Sequence, residues 1–318
     1  MAYLIGTDEA GYGPNLGPLV ISATLWEVPE KIGPEGLYGL LEAVICADRA
    51  QSPMRVIMAD SKILYQSGKG LRLLEHGLWA AFALLGQRPA RCADVWQLLA
   101  PECAAERTAL FDGCDHLSVP IDLDAAELQP LAPRLREGFA AAGVRLLSVR
   151  SRAIFPRQFN EQIDRQGSKG AALSRWTMAL VAELMGCLPG GPISVVCDKH
   201  GGRDHYLPLL MEHFPEVLIE CHGEARQRSV YRFGPPERRV EIAFQAKAEA
   251  QLPVALASMA SKYLRELAMR AFNGFWCPRV PALEATAGYP QDARRFKSQI
   301  AAVQSTLGIE DRAIWRQR

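Results

Sequence analysis

Two adjacent carboxylates follow the first apolar stretch of the chain. Tyr3–Ile5 is typical of a buried strand, and Asp8 and Glu9 come directly before a loop rich in glycine. Adjacent acids at a strand end repel each other unless a positive charge lies against them. A divalent cation held between the carboxylates and a nucleic-acid phosphate would supply that charge, and glycine lets the backbone approach such a phosphate closely. An ordinary solvent-facing turn explains the same residues equally well.

Other acids end later segments that also read as strands. "RVIMAD" ends at Asp60, "ISVVCD" ends at Asp198, and Glu249 follows an alternating segment. Strand ends are rigid, so they can bring carboxylates within the few ångströms that a two-cation site demands. Ligands that are all oxygen suit Mg²⁺ or Mn²⁺ rather than Zn²⁺. We expect Asp60 to cap the helix that begins at Ser61 instead of binding metal.

The composition is that of a globular protein with a sizeable core. The chain has 318 residues, of which 49% are hydrophobic and 22% charged. Its net charge of +1 provides no overall basic field, so nucleic-acid binding must depend on a local patch. The eight cysteines form no CxxC pair, which favours reduced thiols in the cytoplasm. No apolar run is long enough to span a membrane, and no signal peptide is expected.

Strands and helices are mixed along the chain, which predicts an α/β fold with acids gathered at strand ends. Beyond the first strand we expect strands near 19–23 and at 55–59, 144–151 and 192–198, and a hairpin at 229–244. Helices are expected at 35–49, at 71–86 and at 167–186, the last capped near Ser168. Residues 87–143 are less regular and are interpreted as an insertion within a single domain, 1–318. Residues 253–318 are expected to be mainly helical, with a proline-rich break at 278–281.

Several segments together resemble one family of nucleases. "GTDEAGYGPNLGPLVI" is similar to the opening of the type 2 ribonucleases H (ribonucleases HII and HIII), which show DEAG-x-G-x-x-x-GP. "ADSKIL", "VVCD", "KAEAQLPVALASMASKYL" and "AGYPQD" resemble later segments of that family, in family order. "FNEQIDRQGSKGAALSRWTMALVAELM" resembles a helix of the HIII branch. The resemblance runs from residue 3 to about residue 300 and leaves the insertion and parts of 200–240 uncovered.

The resemblance implies a ribonuclease H-like fold, with a mixed central sheet flanked by helices, an inserted subdomain and a C-terminal helical region. It implies hydrolysis of the RNA strand of RNA/DNA hybrids with two Mg²⁺ or Mn²⁺ ions, leaving 5′-phosphate and 3′-hydroxyl ends. The metal-binding, catalytic carboxylates that it implies are Asp8, Glu9, Asp198 and Glu249. Glu249 matches the HIII pattern, because HII enzymes usually have Asp there.

The resemblance also implies a set of substrate-binding residues. Ser61 and Lys62 match the DSK segment, whose lysine holds a phosphate, and Tyr289 matches a tyrosine that stacks on sugar. The loop that approaches the ribose 2′-hydroxyl is matched by Gly11, Tyr12 and Gly13. Tyr12 stands where the family usually has Arg, so the backbone part of this recognition is retained, whereas a preference for single embedded ribonucleotides is not implied.

Two other functions remain open at this point. A related nuclease of the same fold would act on branched or junction DNA. A nucleic-acid-binding module descended from a nuclease would bind without cutting, although it would have no need to keep repelling carboxylates beside a phosphate.

Other polar residues have structural interpretations of equal or greater weight. His200 and His205 are expected to be structural or supporting rather than catalytic, and Glu266 to form a surface ion pair. The segment 201–203 is either a tight turn or a phosphate cradle, and the role of Lys247 stays open. A solvated face is slightly favoured over a nucleic-acid track for the hairpin arginines, which are Arg226, Arg228, Arg232, Arg238 and Arg239, interleaved with Tyr231 and Phe233.

Overall fold

A seven-stranded mixed sheet forms the centre of the computed structural model, which describes residues 1–48, 54–66 and 70–317. Its strands are β1 (Ala2–Ala10), β2 (Leu19–Val28), β5 (Arg145–Ile154), β6 (Ile193–Asp198), β7 (Glu220–Glu224), β8 (Arg228–Phe233) and β9 (Val240–Gln245). Their order across the sheet is β5-β2-β1-β6-β9-β8-β7. A separate parallel pair joins β3 (Ile45–Cys46) to β4 (Val56–Ile57).

Three neighbouring strands in the middle of the sheet run parallel. β6 lies between β1 and β9, with Thr7 opposite Cys197 and Cys197 opposite Phe244. The outer strands β2, β5, β8 and β7 are antiparallel to their neighbours. Since parallel strands end at the same edge of a sheet, the carboxyl ends of β1, β6 and β9 meet there.

Eleven α-helices are described within these ranges, and the longest crosses the central strands. They are α1 (Leu37–Leu40), α2 (Ser61–Leu64), α3 (Arg72–Leu84), α4 (Cys92–Leu99), α5 (Leu131–Ala141), α6 (Pro156–Gln166), α7 (Lys169–Gly186), α8 (Leu207–His213), α9 (Leu252–Trp276), α10 (Pro290–Thr306) and α11 (Asp311–Ile314). The backbone of α9 lies directly against β1, because a Cβ atom added at Gly6 would lie 2.5 Å from the Cβ of Pro253. The Thr24 hydroxyl on β2 donates to the Pro253 carbonyl at 2.7 Å.

Two apolar clusters bury the two faces of the sheet. Leu4 faces the cluster that contains α9, whereas its neighbour Ile5 faces the cluster that contains α7 and α8, as the period of two in a strand requires. The first cluster also contains Trp96 and Phe111 from segment 87–143. That segment therefore shares the main core, and its description as an insertion within one domain stays a prediction.

The structure confirms the α/β class, the helix-flanked mixed sheet and the helical C-terminal region. The hairpin at 229–244 is confirmed as β8 and β9, and the strand predicted at 144–151 extends to Ile154. The helix predicted at 35–49 is wrong, since helical backbone ends at Leu40 and Ile45–Cys46 is a strand. Pairing of buried Ile45–Cys46 with Val56–Ile57 overrides the local helical pattern there. Residue 49 of that prediction lies outside the described residues.

None of the helices in the described ranges has the length and apolar character that a membrane span requires.

Candidate active site

The parallel strands bring three of the predicted carboxylates to one edge of the sheet. Asp8 and Glu9 lie near the end of β1, and Asp198 is the last residue of β6. Glu249 follows β9 in a short 3-10 turn, Ala248–Ala250. The first amide of this turn, that of Ala248, donates to Asp198 Oδ1 at 3.4 Å. These acids lie at one edge because their strands are neighbours in the sheet, although the strands are far apart along the chain.

A cavity of about 430 Å³ opens at this edge, and we call it the carboxylate cavity. Eight of the ten predicted site residues line it, namely Asp8, Glu9, Gly11, Tyr12, Ser61, Lys62, Asp198 and Tyr289. Glu249 lines an adjacent cavity of about 310 Å³, and its Oε1 lies 3.6 Å from the Lys62 ammonium. Gly13 is exposed and lines neither cavity.

The carboxylates raise the pKa of one another, in addition to the effect of burial. Burial raises the pKa of Asp8 to about 7, and the charge of Asp198 adds to the rise. Burial and then the charge of Asp8 raise the pKa of Glu9 to about 8. The pKa of Asp198 is raised by burial and by Glu249. The edge of the sheet thus holds more negative charge than its surroundings stabilise.

The chemistry of these side chains fits a hard divalent cation, although their spacing is not that of an assembled metal site. All four donors are carboxylates, and the buried Glu249 Oε2 has no hydrogen-bond partner. Within residues 1–48, 54–66 and 70–317, no three His, Cys, Asp or Glu side chains form a group that would hold a metal ion. A metal is therefore supported by the type of donor and by the unpartnered oxygen, and not by coordination geometry.

Asp60 caps α2, as predicted, and thereby orients Lys62. Its Oδ1 accepts the backbone amide of Lys62 at 3.1 Å and the hydroxyl of Ser258 at 3.2 Å. Burial lowers the pKa of Lys62, but the charges of Asp60 and Glu249 outweigh it and the net shift is upward. The ammonium group is therefore held charged beside the carboxylates.

The glycine-rich loop (residues 11–18) forms another wall of the cavity. Gly11 has φ +91°, which a side chain would strain. The Tyr12 hydroxyl lies against the turn at Gly201, where an added Cβ would be 2.9 Å from it. Burial and then the charge of Glu9 raise the pKa of Tyr12. Gly201 and Gly202 have φ of +59° and +78°, so the segment 201–203 is a tight turn.

Three further cavity residues form a connected group that sequence reasoning did not assign to the site. Glu266 accepts the hydroxyl of Tyr65 at 2.8 Å and the ammonium of Lys262 at 2.5 Å, and Lys262 lies 4.2 Å from the centre of the Tyr65 ring. The spacing of four residues between Lys262 and Glu266 on a helix is the signal that predicts their ion pair. Tyr65 is 201 residues from Glu266, so no local pattern identifies it.

The two histidines lie outside the carboxylate cavity. Burial lowers the pKa of His200 to about 3, and its Nδ1 is 3.0 Å from the Ser174 hydroxyl, so it is a neutral structural residue. His205 is exposed and pairs with Glu224 at 2.6 Å. Both placements agree with the structural interpretation.

The hairpin arginines are largely paired with acids of the same sheet. Arg228 and Arg232 form ion pairs with Glu241 at 3.2 and 2.7 Å, and Arg239 pairs with Glu220 at 3.4 Å. This arrangement favours a solvated face over a nucleic-acid track. Lys247 is exposed beside the cavity that Glu249 lines, and its role stays open.

Comparison with known proteins finds similarity only among solved structures. No protein-family model matches the chain, and no curated protein does. The ribonuclease H2 of Pyrococcus horikoshii OT3 is 15% identical, with 98% of this chain and 92% of that chain covered and a TM-score of 0.45. The RNase HII of Archaeoglobus fulgidus, in a complex with PCNA, is 14% identical, with 99% and 94% covered and a TM-score of 0.42.

A third match is Bst-RNase HIII in complex with Mn²⁺. It is 13% identical, with 99% of this chain and 66% of that chain covered and a TM-score of 0.42. The matched structures are type 2 ribonucleases H, the class that the sequence resembles. The alignments cover nearly the whole of this chain, and their TM-scores are low.

Proposed function

We propose that this protein is a metal-dependent endoribonuclease that hydrolyses the RNA strand of RNA/DNA hybrids. One observation carries the proposal: the carboxylate cavity gathers Asp8, Glu9 and Asp198 with the glycine-rich loop, Lys62 and Tyr289. Acids that would bind metal and groups that would bind a nucleic-acid strand thus share one opening. The order of the sequence motifs supports the same activity, and reduced cysteines support a cytoplasmic location.

The metal ligands in this proposal are Asp8, Glu9, Asp198 and Glu249, which would hold two Mg²⁺ or Mn²⁺ ions. When bound, such ions supply an activated water and neutralise charge on the scissile phosphodiester and its leaving 3′ oxygen. The products would carry 5′-phosphate and 3′-hydroxyl ends. Burial and the neighbouring carboxylates raise the pKa values of Asp8, Glu9 and Asp198, and a bound cation would offset this cost of ionising them.

The remaining residues would bind and orient the strand. Lys62, whose side chain is 73% exposed, would contact a phosphate while Ser61 lies at its side. Backbone groups of the glycine-rich loop would recognise the ribose 2′-hydroxyl, which is what distinguishes RNA from DNA. Tyr289 is 56% exposed at the cavity wall, where it would stack on a sugar.

The test is a cleavage assay with three matched substrates and either Mg²⁺ or Mn²⁺. They are an RNA/DNA hybrid, a DNA duplex with one ribonucleotide, and a four-way DNA junction. We expect cleavage of the hybrid, reduced at least about 100-fold by Asp8→Asn, which corresponds to about 2.7 kcal/mol of lost transition-state stabilisation. Asp112→Asn, which changes an exposed acid outside the cavity, is the matched control and should retain full activity.

Two results would replace the proposal with another function. Cleavage of the junction alone would identify a branched-DNA nuclease. Tight binding of the hybrid without cleavage under either metal would identify a binding module.

A further inference from the structure

A buried arginine from the end of the described chain holds the glycine-rich loop from behind. Arg316 is fully buried, and its Nη2 donates to the carbonyl of Gly11 at 2.5 Å and to that of Pro14. Its backbone amide donates to the Asn15 carbonyl at 2.8 Å, and the Asn15 side chain donates to the Arg316 carbonyl at 3.1 Å. One residue thus contacts the loop at three positions.

A second buried guanidinium holds the other end of the same loop. Arg265, on α9, donates to the carbonyls of Pro18 at 2.6 Å and Leu16 at 3.3 Å. It also donates at 3.0 Å to the carbonyl of Ala287, two residues before Tyr289. The two arginines therefore fix the loop through carbonyl oxygens, from the inside of the protein.

This arrangement is energetically unfavourable for the arginines themselves. Neither forms an ion pair with a carboxylate of the described residues, and the Nε and Nη1 atoms of Arg316 are buried without hydrogen-bond partners. Burial and the nearby charge of Arg265 lower the pKa of Arg316. The Phe159 ring, 4.8 Å from its guanidinium carbon, compensates in part. An apolar side chain would fill this space with a smaller free-energy cost of burial, but it could not donate hydrogen bonds to the loop carbonyls.

Fixing the Gly11 carbonyl also fixes the amide that follows it. A trans peptide directs its C=O and its N–H to opposite sides, so the Tyr12 amide points away from Arg316. Gly11 and Tyr12 line the carboxylate cavity, whereas Arg316 does not. The Tyr12 amide has no hydrogen-bond acceptor in the part of the chain that the structure describes. It is therefore available as a donor to a ligand.

We infer that Arg316 is a positioning residue: through the Gly11 carbonyl it holds the Tyr12 amide ready to donate to the ribose 2′-hydroxyl of the substrate strand. The inference rests on the proposed function for the identity of the ligand. The restraint on the loop itself does not depend on that function.

Hydrogen exchange followed by mass spectrometry tests the restraint without any need for activity. We expect Arg316→Met to speed exchange of peptides that cover 11–16 by at least about tenfold, because the charge-assisted hydrogen bonds to Gly11 and Pro14 are both lost. Arg316→Lys keeps the charge but has fewer donors, so its exchange rate at 11–16 should lie between those of Arg316→Met and the wild type. This graded response distinguishes a local effect from a global folding defect. Arg312→Met removes an exposed arginine of the same segment and should change nothing. Unchanged exchange at 11–16 in both Arg316 variants would overturn the inference.

Kinetics on the RNA/DNA hybrid test the link to the substrate. If Arg316 positions the loop, Arg316→Met should raise KM about tenfold while kcat changes less than about threefold. Arg316→Met should also lower the ratio of kcat/KM for ribose to kcat/KM for 2′-deoxyribose at the cleaved position. A fall in kcat alone, with KM and sugar preference unchanged, would overturn the positioning role. Absence of cleavage by the wild-type protein would instead overturn the proposed function, and hydrogen exchange would still decide on the restraint.

Discussion

The ammonium of Lys62 lies 3.6 Å from Oε1 of Glu249, and this ion pair stands between the carboxylate cavity and its neighbour. Because the Lys62 side chain is 73% exposed, the pair contributes at most about 1 kcal/mol to folding. A phosphate contact would contribute more, since hydrogen bonds to charged groups are worth about 1.5–3 kcal/mol.

We therefore expect Lys62→Ala to lower kcat/KM on the hybrid by about 10- to 100-fold while leaving the melting temperature nearly unchanged. Steady-state kinetics and thermal melting measure the two effects separately. Lys31→Ala, at an exposed position outside both cavities, is the control. A large loss of stability without a kinetic effect would assign Lys62 to folding alone.

Replacement of Gly6 should destabilise the protein strongly. A Cβ at Gly6 would collide with the backbone and ring of Pro253, so Gly6→Ala must push α9 away from β1. We expect a loss of about 3 kcal/mol or more in urea unfolding, at the upper end of overpacking effects. Gly274 lies on α9, and a Cβ added there would have no heavy atom within 4 Å. Gly274→Ala should therefore stabilise the protein by about 0.5–1 kcal/mol. Equal effects of the two substitutions would refute the close packing.

Stability without metal should fall as the pH rises. The folded state raises the pKa of Asp8 to about 7 and that of Glu9 to about 8, from values near 4 in the unfolded chain. Folding therefore retains protons, and the stability that this provides is complete below about pH 4 and is lost progressively up to about pH 8. Buried His200 opposes this trend below about pH 6.5, because its lowered pKa makes its protonation destabilising, so melting temperatures in EDTA should fall most clearly between pH 6.5 and pH 8.

Asp8→Asn is the matched variant for the pH experiment. It removes one ionisation, so at pH 8 in EDTA it should melt at a higher temperature than wild type, and the difference should vanish near pH 4. Each kcal/mol corresponds to roughly 2–4 °C for a chain of 150–250 residues. A wild-type melting temperature that rises between pH 6.5 and pH 8 would contradict the prediction.

Changing Tyr12 to Arg should improve cleavage at a lone ribonucleotide. A guanidinium at this position would add charge-assisted donors beside the substrate strand, near Glu9. We expect the rate at a single ribonucleotide, relative to the rate on the hybrid, to rise about tenfold. Tyr12→Phe removes only the hydroxyl and should leave the ratio unchanged. An unaltered ratio in Tyr12→Arg would show that this side chain does not discriminate between the substrates.

Local sequence patterns were sufficient for the features that depend on one strand or one turn. Asp8, Glu9 and Asp198 could be placed because an apolar run typical of a buried strand precedes them, and Asp60 could be identified as a cap from the Ser and Lys that follow it. The resemblance to type 2 ribonucleases H added Lys62 and Tyr289, which the structure places in the same cavity.

Features that depend on distant partners could not be read in the same way. The hydrogen bond from Arg316 to Gly11 joins residues 305 positions apart, and that from Tyr65 to Glu266 joins residues 201 apart. A strand of two residues, such as Ile45–Cys46, has no periodicity of its own and exists through its pairing. Tertiary contacts decide such elements, so single-residue propensity fails there.

The acid-bearing strands are neighbours in space and far apart along the chain: β1 ends at residue 10, β6 begins at residue 193 and β9 ends at residue 245. During synthesis, the first two acids leave the ribosome long before the strands that complete the edge. A chain interrupted anywhere before residue 193 holds Asp8 and Glu9 without the acids they meet. If the proposed activity is correct, a nascent chain gains the power to cut only after synthesis has passed Glu249, more than 200 residues after Asp8 and Glu9.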